Sequence, residues 1–198
     1  MSLKAFAAAG AAAGLLQLLF LAHFGAPLAE KLHDILAAGQ EEVYAYWVQL
    51  LVAALAGALW GVVLSALAKR LGLATGALAA FVGFSLLPIL KWLPTPHGVS
   101  YVEPVEWREA VHGLYLLYNG VVLWALALRK DATTALASAA ALAVGFYAFP
   151  NFTLPSEYWP YVPELEALQG IALSSWALFW AVTAALAYAL LPIKRPWR

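Results

Sequence analysis

The sequence contains no cysteine. That excludes a disulfide, a thiolate metal site and a cysteine nucleophile. Charge is also scarce, at 11% of 198 residues, where a soluble domain carries about 25%. The 11 Lys and Arg offset the 11 Asp and Glu, which argues against nucleic-acid binding. No G-x-x-x-x-G-K-[ST] phosphate loop occurs, and neither H-E-x-x-H nor G-x-S-x-G is found. ATP hydrolysis by that route is therefore excluded. No catalytic constellation is visible, and the chain reads as a non-enzyme. What is abundant is apolar: 64% hydrophobic residues and a mean hydropathy of +0.79. This composition predicts one integral-membrane domain over 1–198, built as an all-α helix bundle.

A span needs about 20 mostly apolar residues to cross about 30 Å of hydrocarbon. Six stretches qualify, at 3–26, 44–68, 72–92, 109–128, 133–149 and 167–191. The fifth is short and Ala-rich. It follows directly on Arg129-Lys130-Asp131, so a tight turn must separate it from the fourth. In a six-span topology Lys4, Lys69, Arg70, Arg129, Lys130, Lys194, Arg195 and Arg198 share one side. Lys31, Lys91 and Arg108 lie opposite, with every acid except Asp131. Cytoplasmic ends carry the excess of Lys and Arg. Both termini are thus expected on the cytoplasmic side of the membrane. The N-terminal apolar run, at about 20 residues, exceeds the usual signal-peptide core of about 7–15, so it is expected to be retained as a span.

The spans read as three helical hairpins. Leu73 to Ala79 parallels Asp131 to Ala137, and Glu109 to Leu114 parallels Glu166 to Ile171, both offset by roughly 57 residues. Repeats of this kind are common in transporters. Gly10 and Gly14, Gly57 and Gly61, and Gly72 and Gly76 are spaced for close helix approach in lipid. Tyr44, Tyr46, Trp47, Trp92, Trp107, Tyr158, Trp159 and Tyr161 are expected to form an interfacial aromatic belt.

All four histidines fall at or beyond the acidic ends of spans. Glu109 and His112 are three apart on one helix face, and His97 sits in the stiff turn Pro94-Thr95-Pro96-His97-Gly98. Imidazole with carboxylate suits a transition metal. His97, His112, Glu109 and His23 are therefore the candidate outer metal ligands, with Glu103 and Glu106 as an acidic cluster that concentrates cations. The bland alternative is a solvated acidic face and interfacial histidines. In mid-membrane, Gln17 and Asn119 are the candidate path residues, because amides are costly to bury unsatisfied. The serines there are expected to bond to neighbouring helices. No carboxylate relay crosses the spans, which argues against a proton pump.

The stretch Leu86 to Val99, followed by Trp107-Arg108, resembles the CbtA family of bacterial and archaeal cobalt transporter subunits. The matching features are Pro88, the Lys91-Trp92 pair, Pro94, Pro96, Gly98 and Arg108. Pro150-Asn151, Pro155, Pro163 and Ser175 to Trp180 resemble the family's last outer loop and final helix. The resemblance implies uptake of a divalent transition metal, cobalt before nickel or zinc, as transported ligand rather than resident cofactor. It also implies a small single-span, histidine-rich partner of the CbtB type. A homo-oligomer in the lipid is equally compatible with the sequence. Two other readings stay open: a haem-binding subunit with His23 and His112 as axial ligands, and a structural subunit of a larger membrane complex.

Overall fold

The computed structural model describes residues 2–36, 45–95, 101, 102 and 104–190. It is all-α, as expected, with no strand among the described residues. We number six helical rods: α1, Leu3–Leu36; α2, Tyr46–Leu71; α3, Leu73–Lys91; α4, Val105–Arg129; α5, Ala132–Ala148; and α6, Ser156–Leu190. Five are long and apolar enough to cross a membrane. The exception, α5, has 17 residues, which gives about 25 Å and falls a few ångströms short of the hydrocarbon thickness.

The rods alternate in direction, and this sorts the charges by end. Lys4, Lys69, Arg70, Arg129, Lys130 and Asp131 mark the basic end. Glu30, Asp34, Glu106, Glu109, Glu157, Glu164 and Glu166 mark the acidic end, together with Lys31, Lys91 and Arg108. At that end Lys31 pairs with Glu164 at 3.1 Å, tying α1 to α6.

The tightest seam joins α1 to α2. A Cβ on Gly10 would meet the Gly57 carbonyl oxygen, one on Gly14 the Ala53 carbonyl, and one on Gly61 the Phe6 carbonyl, all inside 3.0 Å. Where lipid is as apolar as leucine, such close approach is what holds helices together. The expected role of these two glycine pairs is borne out. Gly72 differs from the expectation: its φ is +89°, and it turns the chain between α2 and α3. Gly76 packs against Ala68 as a close-approach glycine should.

Two prolines leave a mark that the periodicity does not predict. A π-turn, Leu21–Gly25, interrupts α1 just before Ala26-Pro27. Another, Val82–Leu86, interrupts α3 just before Leu87-Pro88. In each, the N–H of the residue before the proline reaches back five residues, Ala26 to the Leu21 carbonyl and Leu87 to the Val82 carbonyl. Proline lacks the donor a regular turn would use, and the wider turn absorbs the mismatch. Helix α1 therefore continues to Leu36, ten residues past the expected end of the first span.

The third hairpin is open. Helix α5 packs on α4, whereas α6 packs along α1 and α3. The turn into α5 is as tight as expected. Lys130 adopts the left-handed conformation (φ 58°), and Asp131 caps α5, accepting from the Thr134 N–H at 2.7 Å and the Thr134 hydroxyl at 2.9 Å. Those bonds hold the Asp131 carboxyl below the usual carboxylate range.

The aromatic belt needs one correction. Tyr46, Trp47, Trp107 and Trp159 are exposed, as interfacial anchors should be. Trp92 and Tyr158 are buried at 7% exposure and serve as core residues of the acidic end. Tyr44 lies outside the described residues.

Candidate functional site

Helix α3 stops at Lys91, where Trp92 turns extended (φ −130°, ψ 126°). The two side chains then act as anchors. Lys91 Nζ donates to the Phe146 carbonyl and, at 2.8 Å, to Asn151 Oδ1. Phe146 lies in the last turn of α5, whose carbonyls have no helical partner and carry the negative end of the helix dipole. A lysine there supplies both the donor and the matching charge. The ammonium also lies 5.5 Å from the Trp92 ring centre and 5.2 Å from that of Phe146. Trp92 Nε1 donates to the Pro150 carbonyl at 3.1 Å. Its ring stacks on Phe152, with centroids 5.8 Å apart, and meets Tyr115 edge-on at 5.2 Å.

Above this floor lies a cavity of about 270 Å³, whose lining combines the apolar Pro88, Ile89, Leu93 and Phe152 with the polar Thr95, Arg108 and His112. Arg108 Nη1 donates to Thr95 Oγ1 at 3.1 Å, and the guanidinium sits 5.0 Å from the Tyr101 ring centre. Tyr101 is fixed in turn by donating to the Leu93 carbonyl at 3.2 Å. Burial pushes the Tyr101 phenol up, and the Arg108 charge offsets part of that rise.

The electrostatics are those of an anion site. Arg108 and His112, four apart on α4, are the charged and titratable residues on the cavity wall, and Arg108 is the charged neighbour that acts on His112. Among the described residues, no carboxylate lines the cavity. Arg108 makes no ion pair among the described residues. Its place in the first turn of α4 opposes the helix dipole, so local helix energetics do not explain it. Pro104, at the start of α4, provides no side-chain cap.

The expected metal ligands that are described, His112, Glu109 and His23, are not gathered. His112 is on the cavity. Glu106 and Glu109 are exposed on α4 and are not part of its lining. His23 lies exposed in the π-turn of α1, which packs on α6, with its ring edge-on to Phe24 at 4.6 Å. His23 is not part of the lining that holds His112. His97 and Glu103 lie outside the described residues, as do Pro96 and Gly98. Among the described residues no group of three or more His, Asp or Glu comes close enough to hold an ion.

The expected path residues occupy separate seams. Gln17 donates to Ser175 Oγ at 3.3 Å, joining α1 to α6. Asn119 Nδ2 donates to the Gly83 carbonyl at 2.7 Å, inside the α3 π-turn. Neither lines the cavity. Among the hydroxyls, Ser85 accepts from Trp180 Nε1 at 2.9 Å and so joins two helices as expected, whereas Ser174 and Thr183 donate to carbonyls of their own helix, those of Gly170 and Phe179.

Some of the residues that carry the family resemblance lie at the cavity. Pro88, Pro94 and Arg108 line the cavity, and Lys91 with Asn151 braces its floor. Thr95, Tyr101 and Phe152 complete the site. The sequence offered only a weak signal for them: a hydroxyl inside the proline turn and aromatic residues in loops rather than at helix ends. Comparison with protein-family models, curated proteins and solved structures finds no match to this chain.

Proposed function

We propose that this protein is a membrane transport subunit that receives an anionic ligand in the cavity at its acidic end, with that end facing outward and both termini cytoplasmic. One observation carries the reading. Among the described residues, Arg108 has no ion-pair partner, and it shares with His112 a largely apolar cavity lining that contains no carboxylate. A guanidinium presents a planar fork of donors suited to a carboxylate or phosphate. The positive end of the α4 dipole adds to its field.

Uptake of a divalent metal, cobalt above all, is the second reading. Its support is the resemblance to the CbtA family, of whose residues Pro88, Pro94 and Arg108 line this cavity, and the imidazole that His112 offers there. On this reading a histidine-rich CbtB-type partner completes the ligand set.

Thermal unfolding of the purified protein separates the two. On the anion reading, inorganic phosphate at ten times its dissociation constant raises the midpoint by about 3–5 °C. Arg108→Gln abolishes that rise, and cobalt(II) gives none. A rise with cobalt(II) that His112→Ala abolishes, without a phosphate effect, overturns the anion reading in favour of metal capture.

A further inference from the structure

The geometry points to an amphiphilic phosphate ester, an anionic membrane phospholipid, as the occupant of this cavity. The inference rests on the anion reading above and adds the tail. The cavity lining combines two chemistries. Arg108, Thr95 and His112 offer donors for a charged headgroup, while Ile89, Leu93 and Phe152 offer only hydrocarbon and a ring face. A small inorganic anion would leave the apolar part of the lining unused. A free cation would face Arg108.

Position favours the same ligand. The cavity lies where α3 ends and α4 begins, beside Trp107, which is 51% exposed. Tryptophan at such a position marks headgroup depth. Leu90, next in the chain to the lining residue Ile89, and Leu114, two residues after His112, are exposed apolar residues that suit contact with acyl chains. The charge pattern adds selectivity. The surrounding end of the bundle carries Glu106, Glu109, Glu157 and Glu166, which repel a dissolved anion arriving from water. A lipid already in the leaflet arrives from the side and avoids that barrier.

The test titrates delipidated protein in a nonionic detergent with three probes: dihexanoyl phosphatidylglycerol, dihexanoyl phosphatidylcholine and inorganic phosphate. Phosphatidylglycerol is expected to bind about tenfold or more tighter than either of the others. Arg108→Gln should reduce that affinity about tenfold and abolish the preference over phosphatidylcholine. Phe152→Ala, a loop change, should weaken phosphatidylglycerol while leaving phosphate unchanged. Phosphate binding as tightly as phosphatidylglycerol overturns the lipid inference and leaves the anion reading standing. Equal binding of the two lipids shows that the headgroup charge is not read, and overturns it as well. Binding of none of the three overturns both.

Discussion

Lys91 and Asn151, sixty residues apart, are joined by a hydrogen bond of 2.8 Å that fastens the end of α3 to the loop after α5. The same ammonium serves a terminal carbonyl of α5, so one side chain closes a short helix and positions the cavity floor. Hydrogen bonds to charged groups contribute about 1.5–3 kcal/mol. Lys91→Met should therefore destabilise the protein by about 1–3 kcal/mol in denaturant unfolding. A double-mutant cycle with Asn151→Ala should show coupling of about 1 kcal/mol. Additive effects would mean that the two residues do not act as a pair.

The α1–α2 seam makes a prediction with an internal control. Gly57→Ala places a methyl against the backbone of Gly10, which cannot yield as a flexible side chain does. A cost of about 1–3 kcal/mol is expected. Gly113→Ala and Gly170→Ala meet nothing within 4 Å and should be neutral or slightly stabilising, since alanine is the better helix former. Equal thermal stability of all three variants would contradict the seam.

Trp180 and Ser85 allow a similar contrast between two serines. Ser85→Ala leaves a fully buried indole N–H without its acceptor, at a cost of about 1–3 kcal/mol. The hydroxyl of Ser174 bonds only to the Gly170 carbonyl of its own helix and is exposed. Ser174→Ala should stay within about 0.5 kcal/mol.

Asp131 gives a pH dependence of defined sign. The Thr134 N–H and hydroxyl lower its carboxyl from the ordinary value of 3.8. A depressed carboxylate stabilises the fold above its unfolded pKa and loses that contribution as pH falls through the folded value. Asp131→Ala should thus lower the unfolding midpoint at neutral pH. The gap to the wild type should stay constant down to about pH 4 and close below it. A gap that persists in stronger acid would show that the cap works without its charge.

Much of the fold was legible because lipid imposes simple rules. Helices must satisfy their own backbone, so apolar length located them, and the sorting of Lys4, Lys69 and Arg129 against Glu106 and Glu164 gave their directions. Close approach at Gly10 and Gly14 and at Gly57 and Gly61 was legible from spacing, but not that the two pairs face each other. The π-turns were not legible, since a proline in an apolar run reads as a break or a kink, and Pro27 and Pro88 are accommodated instead. Trp92 and Tyr158 were misplaced because a tryptophan or tyrosine at a helix end has the same sequence signal whether it faces lipid or loop. At the cavity, Pro88, Pro94 and Arg108 of the family resemblance are part of the lining. Pairing Glu109 with His112 by helical spacing looked along one helix only. Arg108, on the same helix, reaches toward Thr95 and Tyr101 from a different stretch of chain, and that sets the sign of the cavity.

Equilibrium dialysis of the purified protein against labelled phosphatidylglycerol in detergent and, separately, against cobalt(II), with wild type, Arg108→Gln and His112→Ala side by side, bears directly on that sign. Saturable uptake of about one phosphatidylglycerol per chain, lost in Arg108→Gln, with no cobalt retained, is the expected result. Stoichiometric cobalt lost in His112→Ala, with the lipid unbound, would contradict it.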